Sequence, residues 1–244
     1  MCRRVWTINS TYSPVKQKGQ PGHKGYCAGT VVCWIMLRRQ GGDFTAPAYK
    51  DEFYVVFDDD QKSLIRGYQD VHVDSFDNPT SDDGAYKAMF QADVGDAFVG
   101  TNAPHSMENM CDIAFYVAMQ TTAGSSESIN GALTSFYIVR LGGNAEKPQG
   151  HVIAIEVKGV YPAEQTFRLM DPNNSCFEIR GFMKFVVFLV NSVHHEDLAY
   201  LSDREGGTGY PMIRVQKITF PRPAPNNIRG LAFGSALNSL RKKF

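Results

Sequence analysis

Three residues that lie far apart in this chain have, together, the chemistry of an activated nucleophile: Cys27, His151 and Asp171. A thiolate attacks carbonyl carbons, an imidazole accepts and returns the proton, and a carboxylate holds the imidazole in one tautomer and orientation. Each residue alone has an ordinary structural explanation, since single cysteines are usually core residues and Asp-Pro-Asn is a common turn. The three predict chemistry only if the fold brings them together.

The segment around Cys27 predicts a short helix that begins at this thiol. Residues 28–39 are apolar nearly all round, contain no proline, and are followed by Gly41-Gly42, which predicts the end of the helix. A thiol at a helix N-terminus faces unpaired backbone N–H groups and the positive end of the helix dipole. Both lower the pKa of the thiol and favour the reactive thiolate.

His151 and Asp171 are placed by a predicted antiparallel meander of strands. His151 opens an alternating apolar strand over residues 150–157, and Asp171 follows a strand over residues 165–170. The neighbouring segments 135–141, 176–179 and 210–220 are also predicted strands, whereas the apolar run 182–193 fits either a helix or a buried strand. Short turns between these strands predict that His151 and Asp171 lie on neighbouring strands.

The order of segments predicts an α+β fold with its helices mostly before the sheet. We expect a flexible lead-in over residues 1–24, a catalytic domain over 25–220, and a Pro-rich linker with a basic C-terminal helix over 221–244. A second helix is expected over residues 106–120. The polar stretch 40–80 shows only a short element near residues 52–57, and its acidic run 58–60 is interpreted as a solvated turn.

Composition excludes several classes of function. The chain has 25 basic and 25 acidic residues, so no net charge attracts nucleic acid or an anionic membrane. Its five cysteines are odd in number and include no C-x-x-C pair, which argues against a disulfide framework or a zinc site. No segment reaches the length of a signal peptide core or a membrane span. We therefore expect no metal, no organic cofactor and no stable membrane insertion.

The motifs themselves resemble a known family. Gly25-Tyr26-Cys27 with Trp34 seven residues later, Gly150-His151 before an apolar strand, and Leu169-Met170-Asp171-Pro172-Asn173 resemble the three motifs of YopT-type cysteine proteases, a family of bacterial effectors. The resemblance implies a papain-like fold in which a nucleophile helix packs against a mainly antiparallel β-sheet. It also implies that Cys27 is the nucleophile, His151 the general base and acid, and Asp171 the residue that orients the imidazole.

The oxyanion of such a reaction needs hydrogen-bond donors. The backbone N–H of Cys27 is the first expected donor, and a side chain just upstream is the second, with Gln20 preferred over Gln17.

The resemblance also predicts a biological setting. It implies a thiol protease acting on a protein substrate in a target cell, a chain secreted without a cleavable signal peptide and cytoplasmic in the producing cell. A secretion chaperone or an immunity protein is a further candidate partner. Glutamine deamidation, acyl transfer and peptidoglycan amide hydrolysis use the same triad and stay open. A protein-binding module with no activity is the non-enzyme alternative.

Overall fold

The fold is an α+β arrangement in which helices cover both faces of one mainly antiparallel sheet. The structure, a computed structural model, describes residues 2–8, 26–44, 54–55, 57, 59–76, 82–101, 113–119, 127–129, 132–142, 151–172, 175–192 and 212–221. The helices are α1 (Cys27–Arg39), α2 (Asp59–Phe76), α3 (Asp82–Phe90), α4 (residues 113–119) and α5 (Phe182–Ser192). The strands are β1 (Cys2–Ile8), β2 (Tyr54–Val55), β3 (Asp93–Thr101), β4 (Glu127–Ile129), β5 (Ala132–Gly142), β6 (His151–Lys158), β7 (Thr166–Met170), β8 (Ser175–Arg180) and β9 (Met212–Thr219).

The described strands form one sheet in the order β2-β1-β8-β7-β6-β5-β9-β3, with β4 paired to β5. Strands β5 to β8 are antiparallel neighbours, which confirms the predicted meander. Its short connections and apolar alternation are the pattern that antiparallel hairpins need. Among the described strands, β1 and β2 pair in parallel, and the other pairs are antiparallel.

Alternation along β6 sends its side chains into two separate cores. Val152 and Ala154 pack in the core beneath α1, while Ile153, Ile155 and Val157 pack in the core on the other face. Helices α1, α2 and α3 contribute to the first core, and α4 and α5 contribute to the second. Because both faces are covered, residues 151–157 are all buried. The strand that begins at His151 is therefore held on both sides.

Helix α1 begins at Cys27 and ends at Arg39, which confirms the helix predicted to start at this thiol and to end near Gly41. Gly41 has a φ of 82°, a left-handed conformation that favours glycine after a helix. The side chains of residues 28–35 are all buried, because the helix lies between β6 on one side and α2 on another. This double contact explains why its sequence is apolar nearly all round.

The structure differs from the sequence expectations at residues 59–60 and at residues 2–8. Asp59 and Asp60 open α2, where their charge suits the helix N-terminus, so they do not form the solvated turn that was predicted. Residues 2–8, within the segment expected as a flexible lead-in, form β1 and pair with both β2 and β8. The added strand extends the sheet past the meander.

Helix α3 and strands β3 and β4 have no counterpart among the predicted elements. The other described segments agree with the predictions. Residues 182–192 are a helix, not a buried strand, and β9 confirms the last predicted strand. Residues 113–119 are helical within the predicted helix 106–120, whose other residues lie outside the described ranges, as do residues 222–244. Within the described ranges, no helix has both the length and the apolar character needed to cross a bilayer.

Candidate active site

Cys27 is the first residue of α1 and is only partly buried. The helix start is tight, because the backbone N–H and the hydroxyl of Thr30 both donate to the Tyr26 carbonyl, at 2.9 Å and 2.8 Å. Tyr26 occupies the N-cap position without a side-chain hydrogen bond to the helix. The N–H groups of the first turn are therefore available to other acceptors, and that of Ala28 donates to the Cys27 sulfur.

His151 and Asp171 are joined by a hydrogen bond of 2.9 Å between Nε2 and Oδ1. His151 opens β6 and Asp171 directly follows β7, and the register of these strands pairs Ala154 with Met170. Asp171 follows the last pair of this register, so it lies near the end of the sheet at which β6 begins with His151. Both side chains are buried, with 3% and 0% of their surface exposed. The sequence prediction that they lie on neighbouring strands is confirmed.

The His151 imidazole also contacts Cys27, so the structure brings the three predicted residues together in one chain of contacts. Nε2 is hydrogen-bonded to Asp171, which leaves Nδ1 as the ring nitrogen that can contact the Cys27 sulfur. A carboxylate on one nitrogen fixes the tautomer and the ring plane that the other nitrogen presents. The arrangement is that of a thiol beside an oriented base.

Burial by itself would raise the pKa of the Cys27 thiol, but the contacts of its sulfur outweigh burial and lower the pKa below 9.0. Among the contacts that lower this pKa, the hydrogen bond and positive charge of His151 have the largest effect. The backbone N–H groups of Val152 and Ala28 add to it. Both N–H groups place partial positive charge at the sulfur, which favours the thiolate.

The imidazole shifts in the opposite direction. Burial alone would lower the pKa of His151, but the charge of Asp171, its hydrogen bond and the contact with Cys27 raise that pKa to about 10. A thiol with a lowered pKa transfers its proton to a neighbouring imidazole whose pKa is raised. Over the range between the two values, the pair is a thiolate and an imidazolium.

These shifts predict the pH dependence of any amide hydrolysis that the pair catalyses. The rate of such a reaction should rise with pH as Cys27 ionises, below 9.0, and fall as His151 loses its proton through about 10, because the imidazolium would protonate the leaving group. Alkylation of Cys27 by iodoacetamide requires only the thiolate. Its rate should therefore rise with pH over the same range and should not fall again at high pH. Peptide-resolved mass spectrometry measures this rise, and His151→Ala should move it to higher pH, because burial then raises the pKa of Cys27 with less to oppose it.

The first turn of α1 is also held by α2. The backbone N–H of Gly29 donates to the side-chain Oε1 of Gln69 at 3.0 Å. The two helices cross closely here, since a Cβ on Gly29 would lie 2.1 Å from the Ile65 carbonyl oxygen. Only glycine allows this approach. Gln69 was not predicted from the sequence, and a buried glutamine within a polar stretch gives no signal that would find it.

The far end of α1 is tied to the sheet by buried ion pairs. The Arg38 guanidinium binds the Glu156 carboxylate through two hydrogen bonds of 2.9 Å and 3.1 Å. Glu156 lies on β6, the strand that begins at His151, and is fully buried. The network continues through Asp43 to Arg168 and Glu178, with Lys158 and Trp34 also contributing. Helix α1 and strand β6 are therefore fixed to each other at both ends.

The other predicted site residues, Gln20 and Gln17, lie outside the described residues. Within the part of the chain that the structure describes, no group of His, Cys, Asp or Glu side chains is arranged to hold a metal ion.

No protein-family model matches the sequence, and a search of curated proteins gives no match. Among solved structures, the chain is similar to the crystal structure of the Pseudomonas avirulence protein AvrPphB, with a TM-score of 0.47 and 16% identity over 86% of this chain and 98% of that one.

Proposed function

We propose that this chain is a cysteine-dependent hydrolase that cleaves amide bonds in a protein substrate. The observation that supports it most is the position of His151, whose ring contacts the Cys27 sulfur and whose Nε2 lies 2.9 Å from Asp171. A structural histidine needs one partner for each polar nitrogen, but it does not need a thiol at a helix N-terminus. A thiolate held ready beside an oriented imidazolium is the resting state of a nucleophilic catalyst.

The reaction would proceed in two halves. The Cys27 thiolate attacks the amide carbonyl, and the electron pair of the carbonyl moves to its oxygen. Collapse of this oxyanion expels the amine, which takes a proton from the His151 imidazolium, and leaves a thioester on Cys27. His151, now neutral, removes a proton from water, and the resulting attack releases the acid and regenerates the thiolate and the imidazolium.

The oxyanion requires hydrogen-bond donors near the sulfur. The Cys27 backbone N–H is the first, because it belongs to the opening turn of α1, where N–H groups have no intrahelical partner. Gln20 remains the proposed second donor. Helix α1 holds the first donor rigidly with respect to β6, which supplies the base.

We further propose a setting for this activity: delivery into another cell without a cleavable signal peptide, with a substrate protein in the cytoplasm of that cell. A secretion chaperone or an immunity protein would then be a partner in the producing cell. These proposals follow from the motifs that the chain shares with YopT-type effectors.

Mass spectrometry of a target-cell lysate tests the activity directly. Lysate is treated with wild-type protein, with Cys27→Ala or with buffer, and new peptide termini are quantified. We expect termini at one or a few sites with wild type alone, since truncating the nucleophile removes the covalent step. Cys27→Ala keeps the helix start and is the matched control.

Other outcomes would replace the proposal by a defined alternative. Glutamines converted to glutamate by wild type alone, without new termini, would identify a deamidase that uses the same thioester chemistry. Release of cell-wall peptides from isolated peptidoglycan would identify an amidase. Identical lysates with both proteins, and equal alkylation of Cys27 and the buried Cys33, would leave a binding module.

A further inference from the structure

The opening turn of α1 has few N–H groups, and each has a distinct environment. The N–H of Thr30 donates to the Tyr26 carbonyl, and that of Ala28 donates to the Cys27 sulfur. The N–H of Gly29 is satisfied from outside the helix, by Gln69 of α2. The side chain that completes this turn is therefore contributed by a different helix, 40 residues further along the chain.

We propose that Gln69 is a positioning residue of the active site, whose neutral carboxamide fixes the first turn of α1 so that the Cys27 sulfur faces His151. This inference rests on the proposed function. Gln69 does not touch the reacting atoms and acts through the helix. Its side chain is buried, with 5% of its surface exposed, and it lies one turn after Ile65, whose carbonyl packs against Gly29.

The choice of an uncharged acceptor has an electrostatic consequence. Asp and Glu are common partners for N–H groups at helix starts, because their charge suits the dipole. A carboxylate at this position would lie within about one helical turn of Cys27 and oppose a second negative charge on the sulfur. Glutamine provides the hydrogen bond without this repulsion. The amide thus satisfies the turn and preserves the thiolate.

Two substitutions separate the hydrogen bond from the charge. Gln69→Glu keeps an acceptor for Gly29 and adds a negative charge, and the helix N–H favours its ionised form. We expect the apparent pKa of Cys27 to rise by about one to two units, from a unit charge roughly 7 Å away at an effective dielectric of about 20. Gln69→Met keeps the volume and removes the acceptor, so the turn loosens and the pKa of Cys27 rises toward its ordinary value.

The measurement is the pH dependence of iodoacetamide alkylation at Cys27, resolved by peptide mass spectrometry on the full chain. For each unit by which the pKa rises, reactivity below that pKa should fall about tenfold. Ile65→Val is the matched control, because it removes one methyl group from the same buried face of α2 and leaves the hydrogen bond to Gly29 intact. It should lower the melting temperature slightly and leave the alkylation profile unchanged.

The outcomes distinguish this inference from the proposed function. If both Gln69 variants alkylate at Cys27 with the wild-type pH profile and differ only in melting temperature, Gln69 is merely structural and the inference is overturned. If wild-type Cys27 itself titrates near 9.0 and His151→Ala changes nothing, the proposed function fails regardless of Gln69. A raised Cys27 pKa in both Gln69 variants, with the wild-type profile in Ile65→Val, supports the positioning role.

Discussion

His151→Ala is expected to lower kcat/KM for amide hydrolysis by at least about 10³-fold, or about 4 kcal/mol of transition-state stabilisation. The imidazole supplies the charge that lowers the pKa of Cys27, the proton for the leaving amine and the base for the attacking water. Removing it withdraws all three contributions at once, so the loss should approach that of Cys27→Ala. Steady-state kinetics on the substrate found in the lysate experiment measures the effect, with circular dichroism to check the fold.

Asp171 provides a graded control for this prediction. In Asp171→Asn, the amide oxygen can still accept from Nε2–H of His151, so orientation is kept and only the charge is lost. Asp171→Ala loses both and leaves the buried imidazole without that partner. We therefore expect activity in the order wild type, Asp171→Asn, Asp171→Ala, His151→Ala. A His151→Ala enzyme that kept a tenth of the wild-type rate would exclude His151 as the base.

The elements that carry the three residues were predictable because their signals are local. The run after Cys27 is apolar with glycines at its end, and it forms α1 within a residue of the predicted bounds. Strands β6, β7 and β8 are short segments rich in apolar residues and joined by short connections, which predicts neighbours without knowledge of the rest of the fold. His151 and Asp171 come close together because one strand begins and the next ends near the same end of the sheet.

Helix α2 was missed because its buried face is narrow and partly polar. Leu64, Ile65, Tyr68 and Gln69 are buried, while the other residues whose burial is described are mostly polar and include Gly67. Such a pattern resembles a loop when the partner surface is unknown. Gln69 could not be identified as a site residue for the same reason, since its role depends on where α2 crosses Gly29.

Strand β1 was missed for a different reason. Its sequence, Cys-Arg-Arg-Val-Trp-Thr-Ile, precedes a Gly- and Lys-rich stretch and pairs with β8, far away along the chain. Pairing between distant segments depends on topology, which single-sequence patterns do not encode. The same holds for β9, which was predicted as a strand but whose place between β5 and β3 was not.

Both ends of α1 are fixed to other elements, so the distance between Cys27 and His151 is set by the scaffold as well as by the two residues themselves. Gln69 holds the first turn, and the Arg38–Glu156 pair holds the last turn to β6. If α1 were anchored only at its last turn, the Cys27 sulfur at its first turn would be free to move. The buried ion pair therefore has the larger consequence for stability.

Arg38→Met is expected to lower the free energy of unfolding by about 3–5 kcal/mol, measured by urea denaturation. The substitution leaves the fully buried Glu156 carboxylate without its bidentate guanidinium partner, with Lys158 remaining at 3.2 Å. Removing both charges in Arg38→Met/Glu156→Leu should recover part of the loss, because two buried charges are then absent together and the methionine and leucine pack in their place.

Lys62→Met is the matched control for the same change of side chain on a surface pair. Lys62 contacts Asp59 at 3.0 Å across a solvent-exposed turn of α2, where ion pairs contribute little. The unfolding curve of Lys62→Met should therefore coincide with that of the wild type.

The stability of Arg38→Met/Glu156→Leu tests whether the two charges act as a pair. If its loss of stability equals the sum of the losses in the two single variants, Arg38 and Glu156 act independently. The alkylation rate of Cys27 in folded Arg38→Met should also fall, because this pair anchors α1 to the strand that carries His151.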